Sequence, residues 1–332
     1  MPLGDTIVGN IVEPDAVKGG VRCFRPWKFS LLLGAAGAAA TGAPPVAPPK
    51  PQETSADALY QAGSDLFDAL ASPEVKEQFE FPDRTRWDAF VLRLQTALEG
   101  DRPEDLARLE PDARAMLLVL RAVPGTEEYA GWLEERLDYI EAAREMARSL
   151  PPVPRPAASA QFIPDYDLWL RRLQTRAQPE RAAKLVARLL PVFGAGGVPR
   201  ELVWLAEVES GFDPAARSPA GARGLFQLMP DTARELGLST FLPDERTDPE
   251  KSARAAARLL RELHEKFGDW PLALAAYNAG PGRVRRTLDQ KQARTFAQIA
   301  AALPVETRLY VPKVLAVLQV RAGISLAGTG GP

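Results

Sequence analysis

Residues 199–210, Pro-Arg-Glu-Leu-Val-Trp-Leu-Ala-Glu-Val-Glu-Ser, decide how this chain is read. Pro199 suits the opening of a helix, where a missing N–H costs nothing. Ser210-Gly211-Phe212-Asp213-Pro214 supplies the turn residues that end one. At about 100° per residue, Leu202, Leu205 and Ala206 form an apolar stripe. Glu209 falls in the middle of that stripe, one turn on from Leu205, and Glu207 falls on the far side. A carboxyl held among apolar side chains keeps its proton to higher pH, because burial penalises the ion. A general acid that protonates a leaving oxygen near neutral pH needs that property. On periodicity alone, the pattern also describes a helix-end glutamate that reaches water past Gly211.

Downstream, Ser218-Pro-Ala-Gly-Ala-Arg-Gly-Leu-Phe-Gln-Leu-Met-Pro230 is a loop of small residues leading into a short apolar segment, and Pro230 opens the next helix. Small residues let a bulky ligand approach the backbone, and Gln227 is a neutral donor and acceptor suited to hydroxyl and amide groups. Thr247 to Glu250 carries a helix-start pattern, followed by the stripe Ala256, Leu259, Leu260, Leu263 and Phe267. Gly280-Pro281-Gly282 stops the helix that Pro271 opens, so Tyr277 and Asn278 stand at a helix end facing a neighbouring cleft. Leu303 to Thr307 precedes Arg308-Leu-Tyr-Val-Pro-Lys313, the expected start of the last helix, and 323–332 reads as a frayed tail.

Upstream, Trp169, Leu173, Ala182, Leu185, Val186 and Leu189 mark two amphipathic helices after Asp165. Residues 54–150 carry helical spacing throughout, as in Leu59, Ala62, Leu66 and Leu70, in Trp87, Phe90, Leu94 and Leu98, and in Tyr129, Leu133, Leu137 and Ile140 within a helix at 126–149. No period-2 alternation interrupts them, so the reading is an all-α chain with a smaller helical domain at 54–150. Proline-rich stretches at 44–53 and 151–164 separate the blocks.

The 332 residues hold 41 basic and 43 acidic side chains, so no net charge points to nucleic acid. One cysteine, Cys23, and one histidine, His264, exclude a disulfide framework and a Cys/His metal site. His264 lies in the charged run Glu262–Lys266 and reads as a solvated helix residue. No nucleophile elbow, phosphate loop or dinucleotide fingerprint is present. Arg22, Arg25 and Lys28 precede an apolar run from Phe29 to Ala40, giving a secretory signal at 21–43. The run is short for a membrane span of about 20 residues. The alternative is an uncleaved anchor. Residues 1–20 fit no signal anatomy and read as a leader from a start placed too early, with Val21 as the other initiator.

EVESGFDP, SPAGARGLFQLMP, AAYNAGPGRV and LPVETRLYVPKV follow in this order. Together they resemble the lytic transglycosylase domain of the soluble-transglycosylase superfamily, a lysozyme-like fold, and look most like its membrane-bound type-D branch. The likeness covers 165–322. It implies that Glu209 is the catalytic acid/base, and that Ser218, Gln227, Tyr277, Asn278, Glu306 and Tyr310 line the substrate cleft. Phe226 stands where the family more often has methionine and is expected to shape a sugar subsite. The resemblance further implies cleavage of peptidoglycan glycan strands at the bond from N-acetylmuramic acid to N-acetylglucosamine, with a 1,6-anhydro product. No metal or cofactor is implied, and proteins of the cell-wall machinery are the further partner class. The second reading is a muramidase on the same fold that uses water, with Glu306 as the acid to watch. The third is a glycan-binding scaffold without turnover. Oligomeric state is not legible.

Overall fold

The computed structural model describes residues 84–122, 127–148 and 162–326. The expected leader, signal and first linker, the helical pattern at 54–83, most of the second linker and the end of the tail lie outside the described residues.

Helix follows helix: α1 (Arg84–Glu99), α2 (Pro103–Ala107), α3 (Glu110–Ala122), α4 (Glu127–Arg148), α5 (Tyr166–Gln174), α6 (Ala182–Ala195), α7 (Leu205–Ser210), α8 (Pro230–Glu235), α9 (Pro249–Phe267), α10 (Trp270–Ala279), α11 (Pro281–Lys291), α12 (Phe296–Ile299) and α13 (Val305–Ala322). Among the described residues no strand forms, and only isolated bridges join Arg223 to Arg217 and Leu228. The all-α reading therefore holds.

Helix α13 is the axis of the molecule. Leu309, Val311, Val314, Leu315, Val317 and Leu318 are all buried, so it is apolar around its circumference, as a central helix must be. Each such side chain contributes about 1.5–3 kcal/mol relative to exposure. Helices α5, α7, α10, α1 and α4 pack around it. Phe90, Leu94 and Leu98 of α1 and Leu133 and Ile140 of α4 are buried in the same cluster as Trp169, Leu202 and Val314. The described part of the expected small helical domain thus shares one core with the residues after 162, and the proline-rich break at 151–164 does not divide that core.

Three local readings are corrected. The helix expected over 199–210 is a 3-10 turn, Arg200–Trp204, followed by α7. Tighter winding is common at helix starts, and it places Val203 and Trp204 in the core along with Leu202. The last helix starts at Val305, because Pro304 occupies its N-cap and leaves Glu306 and Thr307 in the first turn. His264 is not a solvated residue. The chain reverses at Gly268, in the left-handed region at φ 67°, and brings Trp270 over the imidazole with ring centroids 4.2 Å apart.

The start of α9 is as expected. Asp248 caps it by accepting hydrogen bonds from the amides of Glu250 and Lys251, both at 2.9 Å.

Candidate active site

Glu209 ends α7. The amides of Gly211 and Phe212 turn back to the carbonyls of Glu207 and Ala206, at 3.2 and 3.0 Å. Both residues adopt positive φ, 57° at Gly211 and 61° at Phe212. For phenylalanine this is strained by about 1 kcal/mol or more. Full burial and an edge-to-face contact with Trp204 hold it there, with centroids 5.5 Å apart. The next residue after the acid, Ser210, donates to the Leu225 carbonyl at 2.9 Å, fastening the helix end to the following loop.

The two glutamates of α7 part company as the helical wheel requires. Glu207 is buried and paired with Arg321 at 2.8 Å. Glu209 points toward α13, where the Tyr310 hydroxyl donates to its Oε1 at 2.6 Å. Burial raises the Glu209 carboxyl from an ordinary 4.5 to about 7, against the Tyr310 hydrogen bond and the charge of Arg136, while the charges of Glu306 and Glu135 add to the rise.

The Ser218 loop is held by its own backbone. The Ser218 amide donates to the Ala222 carbonyl at 3.0 Å, and the Ser218 hydroxyl accepts from the Ala222 amide at 3.0 Å. Gly224 has φ 79°, and a Cβ there would stand 1.9 Å from the Arg246 carbonyl oxygen, so no other residue fits. Gln227 also has positive φ, 44°, and its Nε2 donates to the carbonyls of Gly224 at 3.0 Å and Ala216 at 3.3 Å. Its Oε1 is left to accept from a ligand.

Tyr277 donates to the Phe226 carbonyl at 2.8 Å. Asn278 accepts at Oδ1 from the Thr307 hydroxyl at 2.7 Å. Glu209, Tyr310, Tyr277 and the 225–227 segment are therefore one connected group.

The Phe226 side chain does not take the place expected of it. It is fully buried and packs on Phe193 with centroids 5.4 Å apart. The Leu225–Phe226 pair turns inward as part of the core, so only the Phe226 carbonyl takes part in the site.

Among the described residues Glu306 makes no hydrogen bond to that group and is held by a cation instead. Arg136 of α4 pairs with it at 3.4 Å, both side chains being nearly buried. Burial raises the Glu306 carboxyl, Arg136 opposes this, and Glu99 adds to it. Gln95, Trp132, Arg136, Ser218, Ala220 and Glu306 face a gap of about 10 Å³, enough for a single water. Arg136 stacks over Trp132 at 5.3 Å, and its buried Nε has no partner among the described residues.

The involvement of α4 escaped the reading of the sequence. Trp132 and Arg136 carry an i,i+4 relation on one helix face, a signal indistinguishable from ordinary packing.

A second charged group lies beneath the site. Lys313, buried three residues after Tyr310, pairs with Glu135 at 3.0 Å and Asp138 at 2.9 Å. Its ammonium also sits over the rings of Tyr139 and Trp169, at 4.7 and 5.3 Å. Burial alone would raise Asp138, but Lys313 and Arg176 outweigh it and hold the carboxyl well below the usual range. Glu135 is raised by burial in spite of Lys313.

Residues 195–300 match the family model described as the transglycosylase SLT domain. Glu209, Ser218, Gln227, Tyr277 and Asn278 fall within the matched stretch. Membrane-bound lytic murein transglycosylase D of Escherichia coli (strain K12) is 42% identical over 141 residues, covering 40% of this chain and 31% of that protein. The soluble lytic murein transglycosylase of Salmonella typhimurium is 39% identical over 120 residues, covering 34% of this chain and 19% of that protein. The matched part thus spans less than a third of either relative. The solved structure of the 70 kDa soluble lytic transglycosylase of Escherichia coli aligns at 20% identity over 83% of this chain and 59% of its own, with a TM-score of 0.37.

Proposed function

We propose that the protein is a lytic murein transglycosylase that cleaves the β-1,4 bond from N-acetylmuramic acid to N-acetylglucosamine, with Glu209 as its single acid/base. The observation that carries this reading is the Glu209 carboxyl, brought to about 7 by burial inside the stretch that matches the transglycosylase SLT domain. The names of the relatives, lytic murein transglycosylases, support the substrate class.

In the proposed reaction, protonated Glu209 gives its proton to the bridging oxygen as the C1–O4 bond breaks. The substrate's own acetamido group shares the positive charge that develops at C1. The Glu209 carboxylate then takes the proton of the muramoyl 6-hydroxyl as its oxygen bonds to C1. One C–O bond is lost and one formed, the proton is returned, and no water is consumed. A value of about 7 suits both halves, since acid and base forms are comparably populated near neutrality.

Tyr310 keeps Oε1 occupied, so Oε2 is the oxygen that carries the proton. Gln227 Oε1, the amide of Asn278 and the Ser218 edge are the groups we assign to the hydroxyls and acetamido groups of the glycan. The proton transfers call for no metal or cofactor.

The hydrolytic alternative is favoured by one feature, the water-sized gap beside the raised carboxyl of Glu306. Against it, Arg136 already engages Glu306, and a paired carboxylate is a poor base.

Export belongs to the same proposal, resting on the basic and apolar run at 21–43. Among the described residues no helix is long and apolar enough to cross a membrane. Fractionation of cells for processed chain in the envelope tests it.

The decisive experiment digests purified peptidoglycan with the chain lacking residues 1–43 and with its Glu209→Gln variant, and weighs the released muropeptides. Products lighter by one water, made only by the unmutated chain, are expected. Reducing-end products would replace the proposal with a muramidase, and no release would replace it with a binding role.

A further inference from the structure

A buried carboxylate needs a counter-charge, and Glu306 takes its own from α4, far from it in sequence. Arg136 pairs with it at 3.4 Å, and the two side chains are only 12% and 14% exposed. The guanidinium is fixed a second time, over the ring of Trp132 one helical turn earlier. Its Nε is buried and has no partner among the described residues. A buried donor left open is costly, which makes the space beside it informative.

That space is the gap of about 10 Å³ faced by Arg136, Gln95, Ser218 and Glu306. It is the size of one water, and these four side chains can supply the roughly two to four polar partners that a buried water needs. A water there would donate to the Glu306 carboxylate and accept from the Arg136 Nε–H. Both contacts of Arg136 then act in one direction. Water attacks a sugar carbon through a lone pair while a base takes its proton. Arg136 occupies that lone pair, and its charge weakens the base. The charges that act on Glu306 come from three helices: Arg136 of α4 opposes the rise that burial causes, while Glu99 of α1 and Glu209 of α7 add to it.

We propose that Arg136 is a specificity-determining residue: it holds water and the Glu306 base out of the reaction, and so commits C1 of the cleaved sugar to its own 6-hydroxyl. The proposal rests on the reaction proposed for Glu209 and deepens it, by naming the group that keeps the same cleft from hydrolysis. Without Arg136, Glu209 still gives its proton to the bridging oxygen as the C1–O4 bond breaks. Glu306 then takes a proton from the water as the water oxygen bonds to C1. Glu306 returns that proton to solvent, Glu209 regains one from solvent, and the product carries a reducing end.

The test repeats the peptidoglycan digest in water enriched in oxygen-18 and weighs the muropeptides. Attack by water leaves one heavy oxygen at the reducing end, and attack by the 6-hydroxyl leaves none. Arg136→Met is expected to raise the ratio of labelled to anhydro product about tenfold, a fraction of what a well-placed base contributes. Arg136→Lys keeps the charge on Glu306 and should stay within about threefold of the parent. Arg136→Met/Glu306→Gln has no base to release and should return to the parent ratio. Where methionine prevents folding, Arg136→Gln removes the charge, keeps a donor for Glu306 and should move the ratio the same way.

An unmoved ratio in the neutral variants, with anhydro product from the parent, would overturn this proposal alone. So would a rise that survives Glu306→Gln, or a loss of both products in proportion, which is what a purely structural arginine gives. A parent that forms no anhydro product would remove the reading of Glu209 and this proposal with it. Carbon-13 spectra of the substrate-free chain read the pairing without turnover. The Glu306 carboxyl signal, assigned by its loss in Glu306→Gln, should titrate about 1 pH unit or more higher in Arg136→Met than in the parent. The same midpoint in both would show that Arg136 does not restrain the base, and the proposal would fall.

Discussion

The most direct consequence of the Glu209 environment is a stability that depends on pH and that one substitution removes. Its carboxyl is raised from 4.5 to about 7, with burial as the leading cause. Below pH 4.5 the group is protonated in the folded and unfolded chain alike, and burial of the ion costs nothing. Through the interval up to about 7 the unfolded chain ionises first, and stability falls. Above it both states are ionised and the fold bears the whole cost. At about 1.36 kcal/mol per pH unit, the interval from 4.5 to about 7 makes that cost about 3 kcal/mol. Glu209→Gln cannot ionise, and its side-chain carbonyl can still accept from the Tyr310 hydroxyl. The gain of the charged form from the Tyr310 hydrogen bond is already contained in the value of about 7, so it does not reduce that cost further. The variant is therefore expected to be about 3 kcal/mol more stable than the parent near pH 8.5, and within about 0.5 kcal/mol of it near pH 4. Urea unfolding of both chains at the two pH values measures the difference, and titration of every other group cancels between them. A variant with the same advantage at both pH values, or none at either, would refute the reasoning. It would mean that Glu209 reaches water and keeps an ordinary acidity.

Three further outcomes follow from the same geometry. Tyr310→Phe removes the hydrogen bond that opposes the rise at Glu209, so the alkaline fall in muropeptide release should move up by about 1 pH unit; an unmoved pH profile would mean that Tyr310 does not act on the acid. Lys313→Met strips the buried counter-charge from Glu135 and Asp138. Because Asp138 keeps Arg172 and Arg176, we expect a loss near the lower end of the range for breaking a buried pair, about 3 kcal/mol by urea unfolding. Gly224→Ala sets a Cβ against the Arg246 carbonyl at a left-handed position, and should lower stability by about 3 kcal/mol or more in a thermal melt. A melting temperature within a degree or so of the parent would show that the loop shifts freely.

Helix content and the helix face that carries Glu209 were legible in the sequence because both rest on local rules. Leu205 and Glu209 lie four residues apart, and four residues of helix return to the same face whether or not the turn before them is 3-10. Gly224 and Gly211 are needed where φ is positive. What local rules do not reach is a side chain's surroundings across the chain. Phe226 sits between a glycine loop and a cleft glutamine, and nothing in that order says that Phe193 waits behind it. His264 lies in a charged run, yet the reversal at Gly268 lays Trp270 on it.

Arg136 shows why the rest was out of reach. It precedes Glu306 by 170 residues and belongs to a helix with no motif. Its charge acts on Glu209 directly, and also on Glu306, which sequence alone assigns to the cleft by resemblance. Helix α4 grips α13 twice, through Arg136 on Glu306 in the first turn and through Glu135 and Asp138 on Lys313 two turns later. Tyr310, which holds Glu209, lies between those two grips on the same helix. Buried ion pairs of this kind contribute little net stability against apolar replacements, but they permit one register where apolar contacts permit several. A slip of α13 by one residue would leave Lys313 without its carboxylates and turn Tyr310 away from Glu209. The charged contacts of α4 therefore fix the rotation and height of the helix that presents the Tyr310 hydroxyl to Glu209. In the proposed reaction, helix α4 thus helps to position the acid even though the domain match begins at 195.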